Sequence, residues 1–272
     1  MLFVTACDND LNQFPPNETS AGSLEDYEGV LNGAYYYQLG TATPMAIMGD
    51  FRADNAFMFE PPYTEFDIFS GTNLKSQEDQ FFRPFYSQLY KSILSANNVI
   101  ENSSNATEVG EAKFLRALSY YKLILAFGDV SVNLSASPSS TDTSIQVRQP
   151  KADVYNNVII PDLQDAMTAL STTITNGRAS KYAAQALLGK VYAAMGDYTN
   201  AETNLAAVAS ATQFSLQPTY TDVFSTSSEL SSEIIFATRR SSSVVDEYTY
   251  ASEFPDWFGG NDSKSDYPVT EE

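Results

Sequence analysis

Three groups of residues in this chain of 272 have side chains able to act on, or hold, another molecule. Two groups are aromatic. Phe57, Phe59 and Tyr63, followed by Phe66 and Phe69, crowd a stretch broken by Pro61 and Pro62. Tyr248, Tyr250 and Trp257, with Phe254 and Phe258, gather beside Gly259-Gly260, and Trp257 is the only tryptophan. Rings in such loops either pack downwards as anchors, because exposed aromatic area is normally minimised, or face outwards as a platform. Facing outwards they would stack on the C–H faces of sugars. The third group is Asp50 and Asp54, a spacing that could supply the paired carboxylates of a glycosidase but reads more readily as the cap of a turn.

Other chemistry is excluded by what the chain lacks. It contains no histidine, which removes Ser-His-Asp and Cys-His nucleophilic machinery and histidine ligation of zinc or haem. The single cysteine, Cys7, cannot form an internal disulfide or a thiolate cluster. Gly259-Gly260 is not followed by the lysine of a phosphate loop. Asn261 to Asp266 places acidic and amide residues as a calcium loop would, but Asp266 stands where the turn glycine belongs and Lys264 adds an opposing charge. No cofactor, metal or catalytic residue is therefore expected, and the chain reads as a non-enzyme. A formal charge of -19, from 34 acidic and 15 basic residues, repels nucleic acid and anionic membrane and favours solubility.

The elements that must position these groups are mostly helices. From Ala112 to Phe127, Phe114, Leu118, Tyr121 and Leu125 recur at helical spacing beside Leu115 and Ile124, with polar residues confined to a stripe around Lys113, Arg116 and Lys122. Such a helix needs neighbours around most of its circumference and reads as central. Gly128 stops it, and Asp129 opens an extended exit through Val130 and Val132. Ahead of it, Ser23 with Asp26 resembles a helix start, and Tyr27, Val30, Leu31, Ala34 and Tyr35 form the apolar face of a helix of about 15 to 20 residues. Gln77 to Glu101 repeats the pattern with Phe81, Phe85, Leu89, Ile93 and Ala96. Beyond a Ser/Thr/Pro loop, Lys151 opens a helix through Val154, Tyr155, Val158, Ile159, Leu163 and Leu170, with Pro161 as a kink.

After Ser180 the run Leu188-Gly189, Tyr192, Gly196-Asp197-Tyr198 and Ala201 follows the spacing of a tetratricopeptide repeat. Gly189 and Ala201 are small where two antiparallel helices would cross, and Gly196 would make the turn between them. The fold class is thus mainly α: stacked antiparallel helical repeats with irregular loops and few short strands. One strand is expected at Glu233 to Arg239. Residues 1–22 read as a tether, with residues 23–272 as the helical domain. Val4-Thr5-Ala6-Cys7 resembles a bacterial lipobox, which would make Cys7 the lipid attachment site at the end of a signal whose beginning is missing. No segment approaches the roughly 18 apolar residues needed to span a bilayer.

The run Glu111-Ala112-Lys113-Phe114-Leu115-Arg116-Ala117, then Tyr120-Tyr121 and Phe127-Gly128-Asp129-Val130, resembles the central motif of the SusD/RagB family of outer-membrane nutrient-binding lipoproteins, with Ser131 where that family usually has proline. Leu31 to Tyr35, Asn97 to Ile100 and Ile160 to Leu163 are similar to further stretches of the family. Family members usually run well past residue 272, so a C-terminal portion is expected to be absent. The resemblance implies a lipid-anchored protein on the outer membrane of Bacteroidota. It would capture oligosaccharide, or peptide in some relatives, and pass it to a SusC-like TonB-dependent transporter. Phe57, Phe59, Tyr63, Tyr248, Tyr250 and Trp257 are the ligand-binding candidates. A structural tetratricopeptide-type adaptor for another protein is the alternative.

Overall fold

The computed structural model describes residues 26–53, 64, 66, 77–139, 141–175, 177–223 and 231–239. Helices follow in the order α1 Glu28–Leu39, α2 Ala42–Asp50, α3 Arg83–Asn102, α4 Ala106–Phe127, α5 Lys151–Val154, α6 Ile160–Ala169, α7 Lys181–Met195, α8 Tyr198–Ala209 and the single turn α9 Tyr220–Val223. Two two-residue strands, β1 Val130–Ser131 and β2 Arg148–Gln149, form an antiparallel ladder pairing Val130 with Gln149 and Ser131 with Arg148.

The central helix is α4, and α1, α3 and α6 all pack against it. Twelve of its 22 residues are buried, which is too many for one stripe. The periodic face drawn from sequence is correct for Phe114 and Tyr121 but not for Leu125, which is about half exposed. The expected polar stripe is also corrected: Arg116 is buried, because α6 brings Asp162 to meet its guanidinium. Nε and Nη2 donate to the two carboxylate oxygens at 2.7 and 2.8 Å, and Nη1 donates to Asn97 Oδ1 at 2.9 Å. Burial pushes the Asp162 carboxyl upwards, and Arg116 pulls it back. Asn97 in turn donates to the carbonyls of Asn133 and Ser135, so the buried pair also fixes the chain leaving α4.

Around α4 the helices pair in sequence order, α3 with α4, α6 with α7 and α7 with α8, while α1 lies on α3 and α4. The three-residue connection Ser103 to Asn105 makes α3 and α4 antiparallel, and Asn105 caps α4 by accepting the N–H of Thr107. The α7–α8 pair matches the repeat signature. Ser180 and Asp197 cap the two helices, and Gly196 turns between them at φ 81°. A Cβ on Gly189 would stand 2.6 Å from Leu205 Cγ, so the glycine is what allows the two helices to approach.

Three expectations are corrected. The first helix has 12 residues and starts at Glu28, not Ser23, because the Asp26 carboxylate takes the Glu28 N–H at 2.8 Å; Ser23 lies outside the described residues. Instead of a kink at Pro161, a π-turn, Tyr155–Ile159, joins α5 to α6 just ahead of the proline. A second π-turn, Glu78–Phe82, precedes Pro84 in the same way. Each proline has no N–H for an i to i−4 bond, and each widened turn occurs where that bond is missing. Glu233 to Arg239 forms no strand. Its Ile235 and Phe236 pack on the helical core, with the Phe236 ring edge-on to Phe114 at 4.9 Å. The run satisfies its apolar side chains as a wedge, without a ladder partner.

Candidate functional site

The two aromatic segments are rooted in the fold at opposite ends of the α3–α4 hairpin. The first root is a small separate core in which Ile47, Phe51, Phe66 and Phe81 are buried and Met48 and Phe82 pack on it. The Phe66 ring sits 5.9 Å from both Phe81 and Phe82 and 6.3 Å from Phe51. Of the two readings for this segment, Phe66 takes the inward one and ties the end of α2 to the π-turn that opens α3. Phe57, Phe59, Tyr63 and Asp54 lie outside the described residues, and Asp50 closes α2. Nothing described brings a carboxylate pair together here.

The second root lies at the start of α4. Tyr35 of α1 donates its hydroxyl to Glu111 Oε2 and accepts the N–H of Ala179 at 2.9 Å. Arg178 donates to the same Glu111 oxygen at 3.3 Å and to Glu28 Oε1 at 3.1 Å, with its guanidinium 5.2 Å from the Tyr35 ring centroid. Burial raises the Glu111 carboxyl, and the Tyr35 hydroxyl and Arg178 oppose it; burial and then the Glu111 charge push the Tyr35 phenol well above its ordinary range. Four groups from three parts of the chain thus lock one another. The clasp floors a cleft of about 360 Å³ edged by Asn105, Thr107 and Thr175, with three carboxylates, Glu28, Glu108 and Glu111, to one guanidinium. Arg239 runs past it, its side chain 3.3 Å from where a Gly177 Cβ would be. Tyr248, Tyr250 and Trp257 follow outside the described residues, as do Cys7 and Asn261 to Asp266.

From Phe114, at the second root, to Phe127, at the first, α4 advances about 20 Å. All six ligand-binding candidates lie outside the described residues, which contribute the cores at the two ends of the hairpin.

Sequence reasoning missed a third buried polar group. Lys122 reaches Gln38 Oε1 at 3.0 Å and Thr41 Oγ1 at 2.8 Å, and Gln38 donates onward to Ser92 and Ser119. Burial pulls this amine down to about 8. A signal was present: Lys122 stands between Tyr121 and Leu123, both buried, on a helix with few faces left for water. Among the described residues, no group of three or more histidines, cysteines or acids could hold a metal ion, and no helix is long and apolar enough to cross a membrane.

A protein-family model for SusD-like proteins, described as starch-binding and associating with the outer membrane, matches residues 31–193, more than half of the chain. The SusD-like protein P38 of Formosa agariphila is 26% identical over 222 residues, covering 78% of this chain and 44% of its own length. A SusD-like protein of Bacteroides fragilis superposes with a TM-score of 0.67 at 20% identity, across 80% of this chain and 45% of that one. A laminarin-binding SusD-like protein superposes at 0.66 and 22% identity, across 77% and 50%. These two likenesses are of fold. The chain spans about half the length of the proteins it matches, or less.

Proposed function

The chain belongs to the SusD-like family, and on that premise we propose that it is a non-catalytic binding protein of the cell surface that captures oligosaccharide for import. The observation that carries the reading is the match across residues 31–193, which includes every helix from the body of α1 to most of α7. The family description names starch, and one structural neighbour is a laminarin binder. The helical stack supplies rigidity, and Phe57, Phe59, Tyr63, Tyr248, Tyr250 and Trp257 supply rings that stack on sugar, helped by amide and carboxylate hydrogen bonds. The buried carboxylates Glu111 and Asp162 are engaged with Tyr35, Arg178 and Arg116, a use that serves shape.

Cys7 is the lipid anchor in the outer membrane in this proposal, residues 1–22 the tether and residues 23–272 the binding domain. The partner is a SusC-like TonB-dependent transporter beneath. The α7–α8 pair offers exposed apolar side chains beside its turn for such a contact, with Tyr198 73% exposed and Met195 38%. The same side chains suit a purely structural adaptor, which is the second reading. Calorimetry of the full chain against laminari- and malto-oligosaccharides and peptides tests the proposal. Trp257→Ala and Tyr250→Ala abolish glycan binding if it is right and leave protein capture intact if the adaptor reading is right. Failure to bind any glycan or peptide, with no co-purifying transporter, overturns it.

A further inference from the structure

Residues 234–239 cross the helical stack without joining its hydrogen-bonded framework. Within 235–238 no backbone N–H or carbonyl pairs with any described group, whereas the residues just ahead are tied down. The Ser215 N–H donates to the Ser232 carbonyl at 3.0 Å, the two serine hydroxyls lie 2.7 Å apart, and the Gln217 N–H donates to Glu233 Oε2 at 2.9 Å. Beyond that tie, side chains alone hold residues 235–238. Ile235 and Phe236 pack on the core while remaining partly exposed, and the Phe236 ring stands edge-on to Phe114 at 4.9 Å and 6.4 Å from Tyr35. At the far end Arg239 lies along Gly177.

The floor beneath Phe236 is held by bonds in which this run takes no part. Tyr35 gives its hydroxyl to Glu111 and receives the Ala179 N–H, and Arg178 secures Glu111 and Glu28. Lifting residues 235–238 away therefore breaks no backbone hydrogen bond among the described residues and leaves that clasp closed. What it costs is the apolar contact of two partly covered side chains, a small share of what holds α4 with its 12 buried residues. We propose that residues 234–239 are a releasable strap, hinged at Ser232 and Glu233 and pinned by Phe236, which leaves the stack as a unit while the helices stay folded. Its departure uncovers the rings of Phe114 and Tyr35, both buried when it is seated. Arg239 leads directly into the chain that carries Tyr248, Tyr250 and Trp257, so seating the strap also fixes where that segment leaves the stack. The inference does not depend on which ligand the protein captures.

The test is 19F NMR of the full chain carrying 4-fluorophenylalanine, with the Phe236 and Phe85 signals assigned by their loss in Phe236→Leu and Phe85→Leu. Phe85, buried in α3, reports on the helical core. Saturation transfer at neutral pH is expected to show Phe236 exchanging with a minor signal at the position of an unfolded chain, populated at about 0.1 to 10%, while Phe85 shows no such exchange. Ile235→Ala, which removes the second contact, raises the minor population about fivefold or more and leaves Phe85 unmoved. Absence of exchange at Phe236 in both proteins, or exchange at Phe85 with the same rate and population, would mean that the run leaves only when the whole protein unfolds, and refutes the strap. A Phe236 signal already at the unfolded position in the unaltered chain refutes it from the other side, since there would be no seated state. Amide hydrogen exchange checks the floor: the Ala179 N–H, held by the Tyr35 hydroxyl, should be as protected in Phe236→Ala as in wild type. Loss of that protection would show strap and clasp parting together and would overturn the hinge.

Discussion

Lys122→Met is the sharpest probe of the core, because the lysine is a cation held among neutral partners. No carboxylate pairs with it among the described residues, and its acceptors are Gln38 Oε1 and the Thr41 hydroxyl. Its amine titrates at about 8 in the fold against 10.5 in an unfolded chain. That difference corresponds to about 3 kcal/mol of charging penalty at neutral pH, and roughly 2 kcal/mol once solvent access along the half-buried stem is allowed for. The sign follows from proton counting. Between pH 8 and 10.5 the unfolded chain holds the proton that the folded chain has released, so stability rises with pH across that window. The methionine variant lacks this rise. It also strands Gln38 Oε1, at about 1 to 3 kcal/mol, so the two proteins are of comparable stability at pH 7. The readout is therefore the difference in urea unfolding free energy between wild type and variant, followed by circular dichroism from pH 7 to 10. It should climb by about 2 kcal/mol in favour of the wild type. Tyr35, Tyr90 and Tyr120, whose phenols burial raises, destabilise both proteins above pH 10 and cancel in the difference. A flat or falling difference would refute the reasoning, since it would mean that the amine has found a carboxylate.

Two further substitutions test the packing. Asp162→Ala leaves the Arg116 guanidinium buried without its partner and should remove about 3 to 5 kcal/mol in urea unfolding, most of it restored in the double variant Arg116→Met/Asp162→Leu; a loss under about 1 kcal/mol would show the pair to be solvated. Gly110→Ala places a methyl 2.7 Å from Ala169 Cβ and 3.2 Å from Leu170 where α4 meets the end of α6. Overpacking of about 1 to 3 kcal/mol there outweighs the gain of about 1 kcal/mol in helix propensity, so its melting temperature falls. Gly29→Ala, with open space around its Cβ, is the control and should melt no lower than wild type.

What could be read from the sequence was whatever two neighbouring turns of chain decide between them. The α7–α8 pair was legible because Gly189, Gly196 and Ala201 act locally, as a contact, a turn and a contact, and α3 because Phe85, Leu89, Ile93 and Ala96 repeat on one face. The clasp of Tyr35, Glu111 and Arg178 was not legible, although Glu111 stands inside the motif that gave the family away. Its partners are 76 and 67 residues distant, and a carboxylate on a helix gives no sign of which hydroxyl or guanidinium will reach it. Distance in sequence explains the strand error as well. Ile234, Ile235 and Phe236 carry the residue types of a strand, but a ladder needs a second edge, and the edge available was the side of α4, where Phe114 and Tyr35 take the Phe236 ring. The candidate site shares that limit. Composition can say that rings crowd two segments, and Phe66 shows that a ring within such a crowd can turn inwards and become the anchor for its neighbours. Which rings remain for a ligand is decided by how many the anchor needs, and among the described residues that anchor is built by Ile47, Phe51, Phe66 and Phe81, three of them rings brought together from the end of α2, the segment itself and the π-turn ahead of α3.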